Sequence, residues 1–231
     1  MELGRVITAM ATPFRKDGSL DLEGARRLAG HLLDHGSDGL VVAGTTGESP
    51  TLTHEEKRDL WAAVAEVARG RAPLIAGTGT YSTAESIELS QTAEEAGADA
   101  LLVVTPYYSK PPQSGLAAHF KAIAASTALP IVLYDIPGRT ARKIEHATLL
   151  ELAEVPNIVG VKDAAADLAG TAKLAAEAPG FRIWSGDDAL TLSMLAVGAV
   201  GVVSVASHIV GHRLAEMVAA HDKGDVEGAA Q

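Results

Sequence analysis

The stretch Asn157-Ile158-Val159-Gly160-Val161-Lys162-Asp163 is apolar on both faces until it meets a lysine. β-Branched and small residues on either face mark a strand covered on both sides, the kind found in parallel sheets. A lysine closing such a strand keeps its stem in a low-dielectric wall and holds its amine at the strand's carboxyl end. Burial disfavours the ammonium form, so the pKa falls and a neutral, nucleophilic amine becomes available near pH 7. An amine of that kind can form a Schiff base with a carbonyl compound. Taken alone, a lysine in this position more often leaves the strand and reaches solvent. The rest of the chain reverses those odds.

Working outward, short apolar runs alternate with amphipathic stretches over nearly the whole length. The runs are 6–10, 39–43, 73–77, 100–105, 130–134, 158–162, 182–186 and 201–205. Helical patterns lie between them at 22–35, 54–68, 84–96, 116–126, 146–153, 168–178 and 189–197, and 209–220 follows the last run. Thr53-His54-Glu55-Glu56 reads as a capping box, and Gly36, Gly70 and Gly97 stand where helices end. Regular alternation argues for βαβ units and a parallel sheet. Eight such strands closing on themselves give a (β/α)8 TIM barrel, which typically takes ~250 residues. An open doubly wound sheet is less suitable, because Gly77-Thr78-Gly79 lacks the third glycine of the dinucleotide turn.

In a barrel the chemistry sits at the carboxyl ends of the strands. Those ends carry Thr12-Pro13, Gly44-Thr45-Thr46-Gly47-Glu48, Thr105-Pro106-Tyr107-Tyr108, Tyr134-Asp135-Ile136-Pro137-Gly138-Arg139, Lys162-Asp163, Ser185-Gly186-Asp187-Asp188 and Ser204. Nearly all are polar, hydroxyl-bearing or glycine, whereas the strand starts are bland. The two glycines of the 44–47 loop allow positive φ, and its N–H groups and threonine hydroxyls can cup a carboxylate. The loop lacks the Gly-Lys-Ser/Thr ending of a P-loop.

Composition narrows the function classes. The chain has 231 residues, is 47% hydrophobic and has a formal charge of −10. There is no basic cluster, so nucleic acid is not an expected partner. No apolar run is long enough to span a membrane, the start lacks the apolar core of a signal peptide, and the expected home is the cytoplasm. With no cysteines there are no disulfides or thiolate metal sites. An acidic chain that binds an acidic substrate needs a local cationic pocket, for which Lys162 and Arg139 are the candidates. The expected organisation is a barrel over 1–222. Residues 223–231 are expected to form a turn and the start of a further helix.

Taken together, Gly44-Thr45-Thr46-Gly47-Glu48-Ser49, Tyr134-Asp135-Ile136-Pro137-Gly138-Arg139-Thr140 and Gly160-Val161-Lys162-Asp163 resemble the dihydrodipicolinate synthase / N-acetylneuraminate lyase family of pyruvate-dependent class I aldolases. Val104-Thr105-Pro106-Tyr107-Tyr108, Ser185-Gly186-Asp187-Asp188 and Gly201-Val202-Val203-Ser204-Val205 extend the likeness over nearly the whole chain. The resemblance implies a barrel whose C-terminal helical extension is largely missing here, and a homo-oligomer, a dimer or tetramer. It implies that Lys162 takes up pyruvate as a Schiff base. Tyr134, Thr45 and Tyr108 would form a proton relay, with Tyr108 crossing a dimer interface. Thr46 would bind the pyruvate carboxylate, Arg139 the carboxylate of the second substrate, and Gly186 and Val203 would line the pocket. Neither metal nor cofactor is expected, since the iminium itself acts as the electron sink. Arg139-Thr140 resembles the synthase branch, whose acceptor is aspartate semialdehyde. Aldolases or dehydratases of keto-deoxy sugar acids or sialic acid, and a non-catalytic keto-acid-binding barrel, are the alternatives.

The remaining polar features have simpler readings. Asp187-Asp188 reads as a hydrogen-bonded loop and not a metal pair. His208 and His212 lack the intervening glutamate of a zinc motif, and the other histidines read as surface residues. Trp61 and Trp184 read as packing. The resemblance also places a lysine-binding effector site near Ser49, His54, Lys57, Tyr81, Glu85 and Tyr107. Lys57 and Tyr81 depart from the inhibited members' pattern, and a cation at Lys57 would repel the effector's ammonium group.

Overall fold

The computed structural model describes residues 2–231. Eight parallel strands close into a barrel in sequence order. They are β1 (Val6–Ala9), β2 (Gly39–Val42), β3 (Leu74–Gly77), β4 (Ala100–Val104), β5 (Ile131–Asp135), β6 (Ile158–Asp163), β7 (Arg182–Ser185) and β8 (Gly201–Ser204). Each coincides with one of the apolar runs. The long helices also follow the sequence pattern: α1 (Leu22–Asp34), α2 (His54–Ala68), α3 (Thr83–Glu95), α4 (Gln113–Ala124), α6 (His146–Ala153), α7 (Leu168–Glu177), α8 (Thr191–Ala196) and α9 (Ser207–Asp222), with short α5 (Pro137–Thr140) and α10 (Val226–Ala229) besides. No helix of the described residues is long and apolar enough to cross a membrane.

Local chemistry sets the boundaries. Thr53 accepts from the Glu56 N–H while the Glu56 carboxylate accepts from the Thr53 N–H, so the expected capping box forms. Gly36, Gly70 and Gly97 all take positive φ one residue past a helix's C-cap. Two starts differ from expectation. α4 begins at Gln113, three residues before the apolar pattern does, with Pro112 as its N-cap. α9 begins at Ser207 and is broken at Val210, which has φ −121° and ψ 30°.

The core has two layers. Ile7, Val41, Ile75, Leu102, Val132, Tyr134, Trp184 and Val203 cluster together, and the barrel strands are sealed from the helices by a second, larger cluster that includes Leu40, Leu101, Leu133, Phe120 and Trp61. Both tryptophans pack as read: Trp61 donates to the Val42 carbonyl and Trp184 to that of Gly4. Strand register then decides which side chains face inward. Lys162 pairs with Tyr134 and Trp184, so these three share the barrel's inner face, while Asp135 and Asp163 share the outer one.

Candidate active site

The outward face of β6 is occupied by Asp163, whose carboxylate accepts from the Ala165 N–H and the Thr171 hydroxyl. Lys162 therefore points into the barrel, where it is 5% exposed. Its Nζ lies 4.3 Å from the centre of the Tyr134 ring. Burial pushes the Lys162 amine down to about 8, with Asp188 opposing the shift and Arg139 adding to it. An amine of that pKa is about one-tenth neutral at pH 7, against a negligible fraction for an ordinary lysine.

Tyr134 is equally enclosed, and burial raises its phenol above the usual range. The Thr45 side chain hydrogen-bonds to it, and that bond together with the Arg139 charge works in the opposite direction. Three of the four catalytic residues that the resemblance implies thus come together: Lys162, Tyr134 and Thr45. The fourth does not join them within one chain. Tyr108 is 91% exposed and sits at φ 67°, so its ring stands out in solvent.

The 44–47 loop departs from the reading of its glycines. Positive φ falls on Ala43 (54°) and Glu48 (57°), not on Gly44 or Gly47. The glycines are needed for room instead. A Cβ on Gly47 would lie 3.0 Å from the Met10 carbonyl and 3.0 Å from the Thr12 hydroxyl, which itself donates to the Gly47 carbonyl. Thr46 is half-buried beside Thr45.

A cavity of about 400 Å³ opens above this group, with Thr45, Tyr134 and Arg139 on its wall. Arg139 is exposed, on short α5. Lys162, Thr46, Gly186, Val203 and Tyr108 are not on the cavity wall. Val203 packs with Tyr134 in the barrel interior. Gly186 lies against the lysine stem: a Cβ there would meet Lys162 Cε at 3.2 Å and Ala164 Cβ at 2.7 Å, so only hydrogen fits.

The cavity extends sideways to Ser49, Lys57, Tyr81, Glu85 and Tyr107. Tyr81 and Tyr107 meet edge-on at 5.2 Å, and Glu85 accepts from Thr80 and pairs with His54 at 3.1 Å. One other expectation needs adjusting. His119 is not a surface residue: it is buried on α4, its Nδ1 meets the Thr83 hydroxyl, and burial pushes it down to about 4. His208 accepts from the Ala11 N–H through Nε2. Asp187 and Asp188 do form a hydrogen-bonded loop, the first capping the Ala189 N–H and the second accepting from the N–H groups of Val205 and Ala206. Sequence reading passed over the other oxygen of Asp188, which is buried without a hydrogen-bond partner, and the action of this carboxylate on the Lys162 charge.

A closed parallel barrel with a buried lysine and a tyrosine–threonine pair at its carboxyl end is the architecture of a Schiff-base lyase. The sequence matches the Dihydrodipicolinate synthetase family over residues 2–231, and the chain belongs to that family. The 4-hydroxy-tetrahydrodipicolinate synthase of Moorella thermoacetica is 58% identical over all of this chain and 79% of its own length. Among solved structures, dihydrodipicolinate synthase from Bacillus anthracis is 47% identical with a TM-score of 0.97, covering 100% of this chain and 79% of that one. The Cyanidioschyzon merolae enzyme, crystallised with lysine bound, is 46% identical with a TM-score of 0.97, covering 99% of this chain and 78% of that one.

Proposed function

We infer that the chain catalyses the 4-hydroxy-tetrahydrodipicolinate synthase reaction, the condensation of pyruvate with L-aspartate 4-semialdehyde on the path to diaminopimelate and lysine. The observation that carries this reading is the contact of a 5% exposed Lys162 amine with Tyr134, itself hydrogen-bonded to Thr45. In the proposed sequence the neutral Lys162 amine attacks C2 of pyruvate, and the carbonyl oxygen leaves as water. The resulting iminium withdraws electrons from the methyl group, which loses a proton to give the enamine. The enamine carbon then attacks the aldehyde carbon, and a proton passes to the new alkoxide. The substrate's own amino group displaces Lys162 from C2 and closes the ring.

Tyr134 and Thr45 supply hydroxyls that can pass those protons without gaining net charge. The carboxylate of pyruvate has the 44–47 loop and Thr46 to meet it. Gly186 and Val203 leave the space that the adduct needs beside the lysine stem. Arg139, exposed at the cavity wall, is suited to the acceptor's carboxylate, which arrives second. In this reading Tyr108, exposed on its loop, completes the relay of a neighbouring copy in a homo-oligomer. Residues 223–231, where α9 ends and α10 begins, are the start of the helical extension. Any lysine effector would lie at the side of the cavity beside Lys57, whose charge would repel its ammonium group.

Borohydride reduction in the presence of pyruvate, followed by peptide mass spectrometry, tests the reading. The expected result is one reduced pyruvate adduct, on Lys162. A folded protein whose Lys162 stays unmodified would overturn the Schiff-base route. Turnover of pyruvate with N-acetylmannosamine, and not with aspartate semialdehyde, would overturn the choice of acceptor.

A further inference from the structure

Asp188 lies in the β7–α8 loop, two residues beyond the glycine that packs on the Lys162 stem. One of its oxygens is fixed. Oδ2 accepts from the N–H groups of Val205 at 3.1 Å and Ala206 at 2.9 Å, just past the end of β8. The other, Oδ1, is buried and has no hydrogen-bond partner. A buried carboxylate oxygen without a donor is costly, so its retention calls for a charge nearby. Lys162 is the cation placed for that role, because the loop carrying Asp188 packs on the Lys162 stem through Gly186 and the carboxylate acts on the amine's charge. The other polar groups around Lys162 cannot play this part. Arg139 is a cation, Tyr134 is a phenol whose ionisation is suppressed by burial, and Asp163 is turned outward onto Thr171.

We propose that Asp188 is the fixed counter-charge of the Lys162 nitrogen, holding the positive iminium in the barrel while two backbone N–H groups hold Asp188. The proposal rests on Lys162 being the Schiff-base residue. When C2–N bond formation, with uptake of one proton, expels the carbonyl oxygen as water, the neutral amine nitrogen becomes a positive iminium inside an apolar wall. A preplaced carboxylate offsets that charge with no reorganisation. Asp188 is thus a positioning residue acting through Lys162, and it leaves proton transfer to the hydroxyls. Its placement also avoids a tight ion pair, which would lock the amine in its charged, unreactive form.

The test is Asp188→Asn, which retains an oxygen for the two N–H groups and loses the charge. An anion beside an amine raises its pKa, so its loss should lower the Lys162 pKa further. The rise of kcat/KM for pyruvate with pH should then move to lower pH by about one unit. Pyruvate binding should weaken about tenfold above pH 8, where the free amine is neutral and only the iminium is charged, and should hold steady at pH 6, where both states are charged. Asp188→Glu, keeping the charge, should stay close to wild type in both respects. An Asp188→Asn protein that traps pyruvate with borohydride yet shows an unmoved profile would overturn the proposal alone. A wild-type protein that traps no pyruvate would overturn the Schiff-base reading beneath it. Should Asp188→Asn fail to fold, calorimetry on the wild type at pH 7 decides. Binding heats that are equal in buffers of different ionisation enthalpy mean that the adduct stays charged, as proposed. Release of about one proton per site means a neutral imine, with no counter-charge at work.

Discussion

Among the described residues two lysines are buried, Lys57 on α2 and Lys162 on β6, at 4% and 5% exposure. Burial lowers the pKa of both. They differ in surroundings. Lys57 lies beside Glu85, which is also engaged by His54 and Thr80, and shares the cavity's side with the Tyr81–Tyr107 pair. Lys162 has a phenol under its amine, a glycine against its stem and a threonine hydroxyl one bond further on. Low dielectric alone makes an amine less basic. It becomes a catalyst only where groups that move protons and space for an adduct converge on it.

The two lysines should separate most widely in activity. Lys162→Met should remove the pyruvate adduct and lower kcat by roughly 10⁴–10⁶, the scale of deleting a covalent nucleophile. Lys57→Met should still form the adduct. In the wild type, kcat/KM for pyruvate should rise with pH through about 8, because the reactive species is the neutral amine. Steady-state assays with borohydride trapping read both. Equal losses in the two variants would break the contrast.

The next effect in size concerns what surrounds Lys162. Tyr134→Phe keeps the ring beneath Nζ and removes only the hydroxyl that meets Thr45. It should lower kcat by roughly 10²–10⁴ while leaving adduct formation intact. Wild-type turnover in this variant would take tyrosine out of the proton path and leave Lys162 distinguished by burial alone.

A smaller effect is expected at Arg139. The residue is exposed, so a carboxylate paired with it is partly solvated and contributes about 1 kcal/mol. Arg139→Ala should therefore raise the KM for aspartate semialdehyde by roughly fivefold and spare the pyruvate adduct. Its charge also lowers the Lys162 pKa, so its removal should move the pH profile upward, opposite to the loss of Asp188. A downward shift would show that Arg139 does not act on the amine.

These contrasts were only partly legible in the sequence. All eight strands could be placed because burial on both faces leaves an apolar run that ends abruptly at a polar residue, as Val161-Lys162 does. Lys162, Tyr134 and Thr45 could be set at one pole with the other strand ends because those ends converge in a barrel, and the family resemblance singled the three out. Short α5 was not legible, since four residues are too few for a helical period. His119 was misplaced because helix periodicity gives a face without saying which neighbour covers it, and Thr83 comes from another helix. The geometry of the 44–47 loop was half right, because the need for glycine lay in contacts with Met10 and Thr12 from β1's end, about 35 residues away. Asp188 was read only as part of a hydrogen-bonded loop, and its bearing on Lys162 was missed for the same reason. Its value depends on which N–H groups fold over one oxygen and leave the other buried.

The smallest expected effect on catalysis, and the sharpest on stability, belongs to Lys57. Desolvation outweighs Glu85 in setting its pKa, so the folded state holds this proton less tightly than the unfolded state does. The sign follows from linkage. A lysine with a depressed folded pKa costs stability wherever the unfolded chain is protonated and the folded chain resists it. That cost is absent above the ordinary lysine pKa, grows as pH falls below it, and is complete below the folded value. Lys57→Met keeps the apolar stem and removes the charge, so at pH 7 it should melt at a higher temperature than wild type, with the advantage shrinking toward pH 10.5. Glu85 would keep His54 and Thr80 as partners, so the variant does not strand a buried anion. Thermal denaturation of both proteins across that range is the measurement. A variant less stable than wild type at pH 7 would mean that the Glu85 attraction wins. Lys57 would then be a structural ion pair, and burial would no longer be common ground between the two lysines.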